Sequence, residues 1–203
     1  MHRAPGETLE LLVLAADGGQ CAGVDLASGA LVRAWTAVAP VVPPVMYDVV
    51  RVTIDREPDA VPDPAEPEAI AVAGGPETLR RLSRRRTERL LKPLVHPHGQ
   101  ALLGLNAPAV PFWERRADHP SIALVEPESR IALRRSGAYL GCQFVWLGKQ
   151  RELPCLDRSL ALEMDRVHRV RAYADKRDRL LVALTPPIDG LCHKVVEAIL
   201  PRP

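Results

Sequence analysis

The sequence predicts a mainly β protein, two small β units bridged by a basic helix, and three observations carry that expectation. Short apolar segments, alternating or continuous and bounded by glycine and proline, occupy both ends of the chain. Between them an acidic, proline-rich stretch over residues 55–77 hands over to an arginine-loaded segment over residues 79–94. The chain has 203 residues and is 47% hydrophobic, enough to bury one large core or two small ones. The division expected is an N-terminal β unit over 1–73, a basic helix with its connecting loop over 74–119, and a C-terminal β unit over 120–203.

In the first half, residues 9–15 form a continuous apolar run that stops at Asp17-Gly18-Gly19. Residues 20–26 and 30–36 are β-prone and joined by the compact Ala27-Ser28-Gly29, which predicts a hairpin. Residues 47–54 alternate, with Val50, Val52 and Ile54 on one face and Tyr47, Val49, Arg51 and Thr53 on the other, a face expected to open to solvent or ligand. Pro58, Pro62, Pro64 and Pro67 among acids forbid regular structure, so residues 57–67 read as a linker or long surface loop.

Gly74-Gly75-Pro76-Glu77 reads as a helix start, with proline at the first helical position and an acid in the first turn. The helix would place Leu79, Leu82, Leu90 and Leu94 near one face and arginines on the rest, ending at Pro93. Residues 96–119 lack periodicity and read as loop. Strands are expected over 121–125, 130–135, 140–147, 151–156 and 180–184, with Gly148-Lys149 as a tight turn and Phe144 and Trp146 on the same side. For residues 195–200 periodicity alone leaves helix and strand both open.

A net charge of +2 is too mild to argue for nucleic acid by its total, so the argument rests on clustering. Positive charge is almost entirely arginine, with lysine only at positions 92, 149, 176 and 194. One reading is a GC-rich genome, which writes arginine for lysine; the other is that arginine forks onto phosphate and stacks on bases. Cys21, Cys142, Cys155 and Cys192 show no zinc-like spacing and read as small buried hydrophobes in a reducing compartment. The N-terminal apolar run is too short for a signal peptide, and no segment approaches the roughly 18 apolar residues of a membrane span. A cytoplasmic protein with no membrane partner is the expectation.

Several segments together resemble the bacterial dual OB-containing domain family. They are the run from Gly18 to Gly23 after the first strand, Val32-Arg33, and the strand at residues 47–52. Ser121 to Val125, the hairpin from Cys142 through Gly148 to Asp157, and the closing runs 181–184 and 192–199 extend the likeness over nearly the whole chain. The chain departs from the family pattern at Gln20, at Ala34 and over residues 66–69. The resemblance implies two OB-like barrels in one chain, a strand at 195–200, and a role in binding nucleic acid that rests on the fold.

A strand binder of this kind needs aromatic platforms beside arginines. Trp113 beside Arg115 and Arg116, and Trp35 near Arg33, are the two pairs that fit; the other aromatics read first as core. The Arg84-Arg85-Arg86 cluster with Arg81 could clamp a phosphate backbone, or could be a solvated face that pairs with the acidic loop. The nucleic-acid-binding set is therefore Arg33, Arg81, Arg84, Arg85, Arg86, Trp113, Arg115 and Arg116. The partner is nucleic acid, single-stranded ahead of double-stranded, or an acidic protein. His96 and His98, with His119 or Asp118, are a weak metal constellation without a third ligand at fixed spacing. Cys192 and His193 point to opposite faces of one strand, and Cys155 near Asp157 has no basic surroundings. No GxSxG, phosphate-binding glycine loop or HExxH occurs. The chain is read as non-enzymatic, without cofactor or metal; a protein-interaction accessory subunit is the alternative and a metal-dependent hydrolase a distant third.

Overall fold

The computed structural model describes residues 4–38, 42–55, 66, 68–115, 119–166, 171–173 and 178–203. The chain is mainly β and divides into two compact units, residues 1–94 and 95–202, with Pro203 grouped with the first. The expected connector over 74–119 is thus shared between the two units.

Five strands build the first unit: β1 (Thr8–Asp17), β2 (Gln20–Asp25), β3 (Leu31–Trp35), β4 (Asp48–Ile54) and β5 (Ala69–Arg81). They close into a barrel of order β1-β2-β3-β5-β4, β4 returning to β1. All neighbours are antiparallel except β3 and β5, which run parallel through Arg33–Ala69 to Trp35–Ala71. Alternation sends Leu9, Leu11, Val13, Cys21, Val32, Ala34, Val50, Val52, Ile54 and Val72 into the barrel core. The β2–β3 hairpin forms at Ala27-Ser28-Gly29, where the buried Asp25 carboxylate accepts from the Ala27 amide at 3.1 Å and the Ser28 hydroxyl at 2.5 Å. The face of β4 expected to be open is open only in part. Arg51 is exposed, but Tyr47 and Val49 are buried.

The predicted helix start at residues 74–77 lies inside β5. Thr53 pairs with Ala73 and Arg51 with Glu77, so Gly74, Gly75 and Pro76 bulge out of the ladder. A bulge frees proline from the donor it lacks, and Gly74 takes the left-handed φ of 69° that the bend needs. Strand pairing therefore claims residues 79–81. The helix α1 runs only over Arg84–Leu91, followed by a 3-10 turn at Lys92–Leu94. Thr87 and Leu91 are its buried residues, not the leucine face expected from residues 79–94.

The second unit holds β6 (Ala109–Pro111), β7 (Ile122–Val125), β8 (Ala132–Ser136), β9 (Tyr139–Trp146), β10 (Lys149–Pro154), α2 (Arg158–Arg166), β11 (Arg171–Tyr173), β12 (Arg179–Leu184) and β13 (Leu191–Leu200). They form two four-stranded sheets, β10-β9-β8-β11 and β6-β13-β12-β7. The sheets meet where Cys155 bridges Val196 and the Leu156 amide donates to the Val196 carbonyl at 2.8 Å. Phe144 and Trp146 point into a shared core with Leu133, Cys142, Leu153, Val182 and Val196. The β9–β10 turn falls on Leu147-Gly148, one residue earlier than expected, with both φ values positive, 55° and 65°, as a two-residue turn requires. Residues 195–200 are strand, which settles the ambiguity of their apolar run.

Candidate nucleic-acid interface

Arg33 is the first correction to the expected set. It is 2% exposed, its guanidinium lies 3.5 Å from the carboxylate of Glu66, itself buried, and 5.4 Å from the centre of the Trp35 ring, and its amide donates to the Glu68 carbonyl. A desolvated guanidinium needs a fixed counter-charge, and Glu66 supplies it. Arg33 thus holds Glu66 and Glu68 against β3 and is removed from any solvent-facing site. The acidic loop residues 57–65 and 67 lie outside the described residues, so their expected pairing with the basic helix does too.

Around α1 the arginines are outward. Arg84, Arg85 and Arg86 are all exposed in its first turn, which contains no acid, and Ser83 caps it without a side-chain hydrogen bond. Positive charge at a helix N-terminus opposes the macrodipole by about 0.3–1 kcal/mol per charge. Arg81 is exposed and donates to the Met46 carbonyl at 3.2 Å. Arg80 bonds Glu10 at 2.6 Å, an interaction that holds the Glu10 carboxyl below the usual range. Arg80 and Arg86 line a cleft of about 490 Å³ with Glu7, Glu10 and Asp25, so this side of the helix is mixed in charge.

In the second unit the turn Phe112–Glu114 presents two aromatics to solvent. Trp113 is 68% and Phe112 48% exposed, their ring centres 5.9 Å apart and edge-to-face at 84°. The Phe112 amide donates to the Gly190 carbonyl at 3.0 Å, which fixes the turn to the β12–β13 hairpin. Asp189 and Gly190 form that hairpin's two-residue turn with φ values of 49° and 79°. A Cβ on Gly190 would approach the Trp113 ring to 3.3 Å, so the indole rests on a bare backbone. Arg115 follows, half-buried, its guanidinium 3.7 Å from the Cys192 sulfur. Arg116 and Asp118 lie outside the described residues. Ile188 and Leu191 extend the patch with aliphatic surface.

His96 and His98 lie over Trp146 with ring centres 5.8 and 5.2 Å away, and a His96 ring nitrogen sits 3.0 Å from the Ala101 carbonyl. Among the described residues no group of three or more His, Cys, Asp or Glu could hold a metal. Burial raises the Cys155 thiol to about 11, which suits a structural cysteine rather than a nucleophile. Phe112, and the inward pair Lys194 and Arg151 of the second unit, were missed by sequence reasoning. The alternation of β13 carried a usable signal for the lysine, since residues 192, 194 and 196 share a side.

The expected site residues thus fall into separate groups: Arg33 buried in the barrel wall, Arg81 and Arg84 to Arg86 exposed on the first unit, and Trp113 with Arg115 on the second. Among the described residues no helix is long and apolar enough to cross a membrane. The chain matches no protein-family model, no curated protein and no solved structure.

Proposed function

We propose that this chain is a non-enzymatic, single-strand nucleic-acid-binding protein of the dual OB type, acting in the cytoplasm. The observation that carries the reading is the Phe112–Trp113 pair, held open to solvent beside Arg115 by a turn bonded to the β12–β13 hairpin. A protein leaves a tryptophan this exposed at a cost in apolar hydration, and a base stacked on it would cover that surface. The exposed row Arg84 to Arg86 would add sequence-blind phosphate contacts. The barrel of the first unit supports the OB assignment through its strand order, with β1 pairing both β2 and β4 and the parallel β3–β5 pairing closing the circle. Fold alone does not define a ligand, so the aromatic pair carries more weight than the barrel. All four cysteines are free and buried, which fits a reducing compartment.

The test is fluorescence anisotropy of labelled single- and double-stranded DNA and RNA across a salt series, with Trp113→Ala beside the parent. Affinity for a single strand should fall along a log–log salt line and drop with the variant by about 1–3 kcal/mol, the worth of one stacked base. Flat curves for every strand at low salt would sink the reading. They would favour a second one, in which the aromatic pair with Ile188 and Leu191 docks an apolar partner surface.

A further inference from the structure

Two strands of the second unit each send a cation into its interior. On β10, Arg151 sits opposite Phe144 of β9 and shares a side with Leu153. On β13, Lys194 lies in line with Cys192 and Val196. Leu153, Cys192 and Val196 all belong to the core. Both cations line a pocket of about 210 Å³ walled by Leu105, Asn106, Trp146 and Gln150 among others. Lys194 is 4% exposed, and of its three donors one reaches the Leu105 carbonyl. The Arg151 Nε is buried with no hydrogen-bond partner. Among the described residues no carboxylate pairs with either side chain. Glu152, next along β10, adds to the pocket wall, but its carboxylate is bonded to the Gln143 amide at 2.7 Å.

Two like charges inside a low-dielectric wall, without an acid paired to them among the described residues, are an unstable arrangement unless an anion arrives from outside. We propose that this pocket binds a small phosphate-bearing molecule, its phosphate held by Lys194 and Arg151. A guanidinium fork and an ammonium point charge together match the several oxygens of a phosphate. The volume leaves room for a compact organic remainder against Leu105 and Trp146 but not for a length of strand. Burial first and Arg151 second push the Lys194 ammonium down to about 8, the direction expected of a cation buried beside another cation. The inference does not depend on the strand-binding reading, because it uses neither Trp113 nor the α1 arginines.

The test is calorimetric and thermal titration of the full chain with inorganic phosphate against chloride at matched ionic strength, for the parent, Lys194→Met and Arg151→Met. Saturable stabilisation of the parent, weakened about tenfold or more in each variant, is the expected result. An equal response in parent and variants, or no phosphate-specific response at millimolar concentration, overturns the proposal. Should a variant fail to fold, acylation of the parent read by peptide mass spectrometry replaces it: phosphate should protect Lys194 and leave Lys149 untouched, and failure to protect Lys194 overturns the proposal. Glycerol phosphate and oligonucleotides with and without a 5′-phosphate identify the source. A response to the small monoester assigns a free metabolite, and a gain confined to the 5′-phosphorylated strand assigns a nucleic-acid end.

Discussion

Lys194→Met should make the second unit more stable at neutral pH, although it removes a hydrogen bond. The native ammonium is displaced from 10.5 to about 8 by burial and by the neighbouring Arg151. At roughly 1.4 kcal/mol per pK unit this is about 3 kcal/mol of unfavourable burial below pH 8. The donation to the Leu105 carbonyl offsets roughly 1 kcal/mol of it. Methionine fills a similar volume without charge, so the net gain should be about 2 kcal/mol. The pH dependence fixes the sign. With the folded value depressed below the unfolded one, the unfolded chain binds more protons between pH 8 and 10.5, so the parent gains stability with rising pH across that window. The advantage of methionine should therefore shrink from pH 8 upward, vanish about one unit below 10.5, where the parent has regained about 2 kcal/mol, and turn into a deficit of about 1 kcal/mol above that. Urea unfolding in phosphate-free buffer at several pH values measures it. A methionine variant less stable than the parent at pH 7, or a difference that ignores pH, would refute a buried and uncompensated charge.

Three further outcomes follow from the arginine row, the buried ion pair and the aromatic turn. Changing Arg84, Arg85 and Arg86 together to alanine should reduce the single-strand log–log salt slope by about 2, at roughly 0.7 for each phosphate no longer neutralised; urea melts should show no loss of stability, because the charges oppose the helix dipole. Arg33→Ala should destabilise the first unit by about 3–5 kcal/mol, since it strands the buried Glu66 carboxylate, while strand affinity of the folded fraction stays at the parent level. Gly190→Ala should cost about 1–2 kcal/mol for its left-handed backbone and, by pressing on the indole, shift tryptophan emission.

Much of the β architecture was legible because its signals are local. Alternation identified β4 and β9, and Ala27-Ser28-Gly29 and the glycine at 148 announced their hairpins to within a residue or two. What the sequence hid was decided by distant partners. Gly74-Gly75-Pro76 suits a helix start and a strand bulge equally, and only the ladder to β4, on the far side of the prolines, selects the bulge. Arg33 reads as exposed until Glu66 reaches it from within that same proline-rich stretch. Trp113 and Trp146 illustrate the same limit at the candidate site. The first is exposed and the second buried beneath His96 and His98, and the strand alternation around Trp146 is the one local clue that separates them.

The double pairing of β5 also bears on how the chain comes to be made. Its first residues lie parallel on β3 and its remainder antiparallel on β4, so one strand near the end of the first unit supplies both seams of the circle. Until residues 69–81 leave the ribosome, the four-stranded sheet β4-β1-β2-β3 carries unpaired edges on β3 and β4, with the core side chains Val32, Ala34, Val50 and Val52 uncovered. A nascent chain stalled before residue 69 should therefore be protease-sensitive and prone to associate, and one stalled far enough beyond residue 94 should resist cleavage as the barrel of the first unit closes in a single late step.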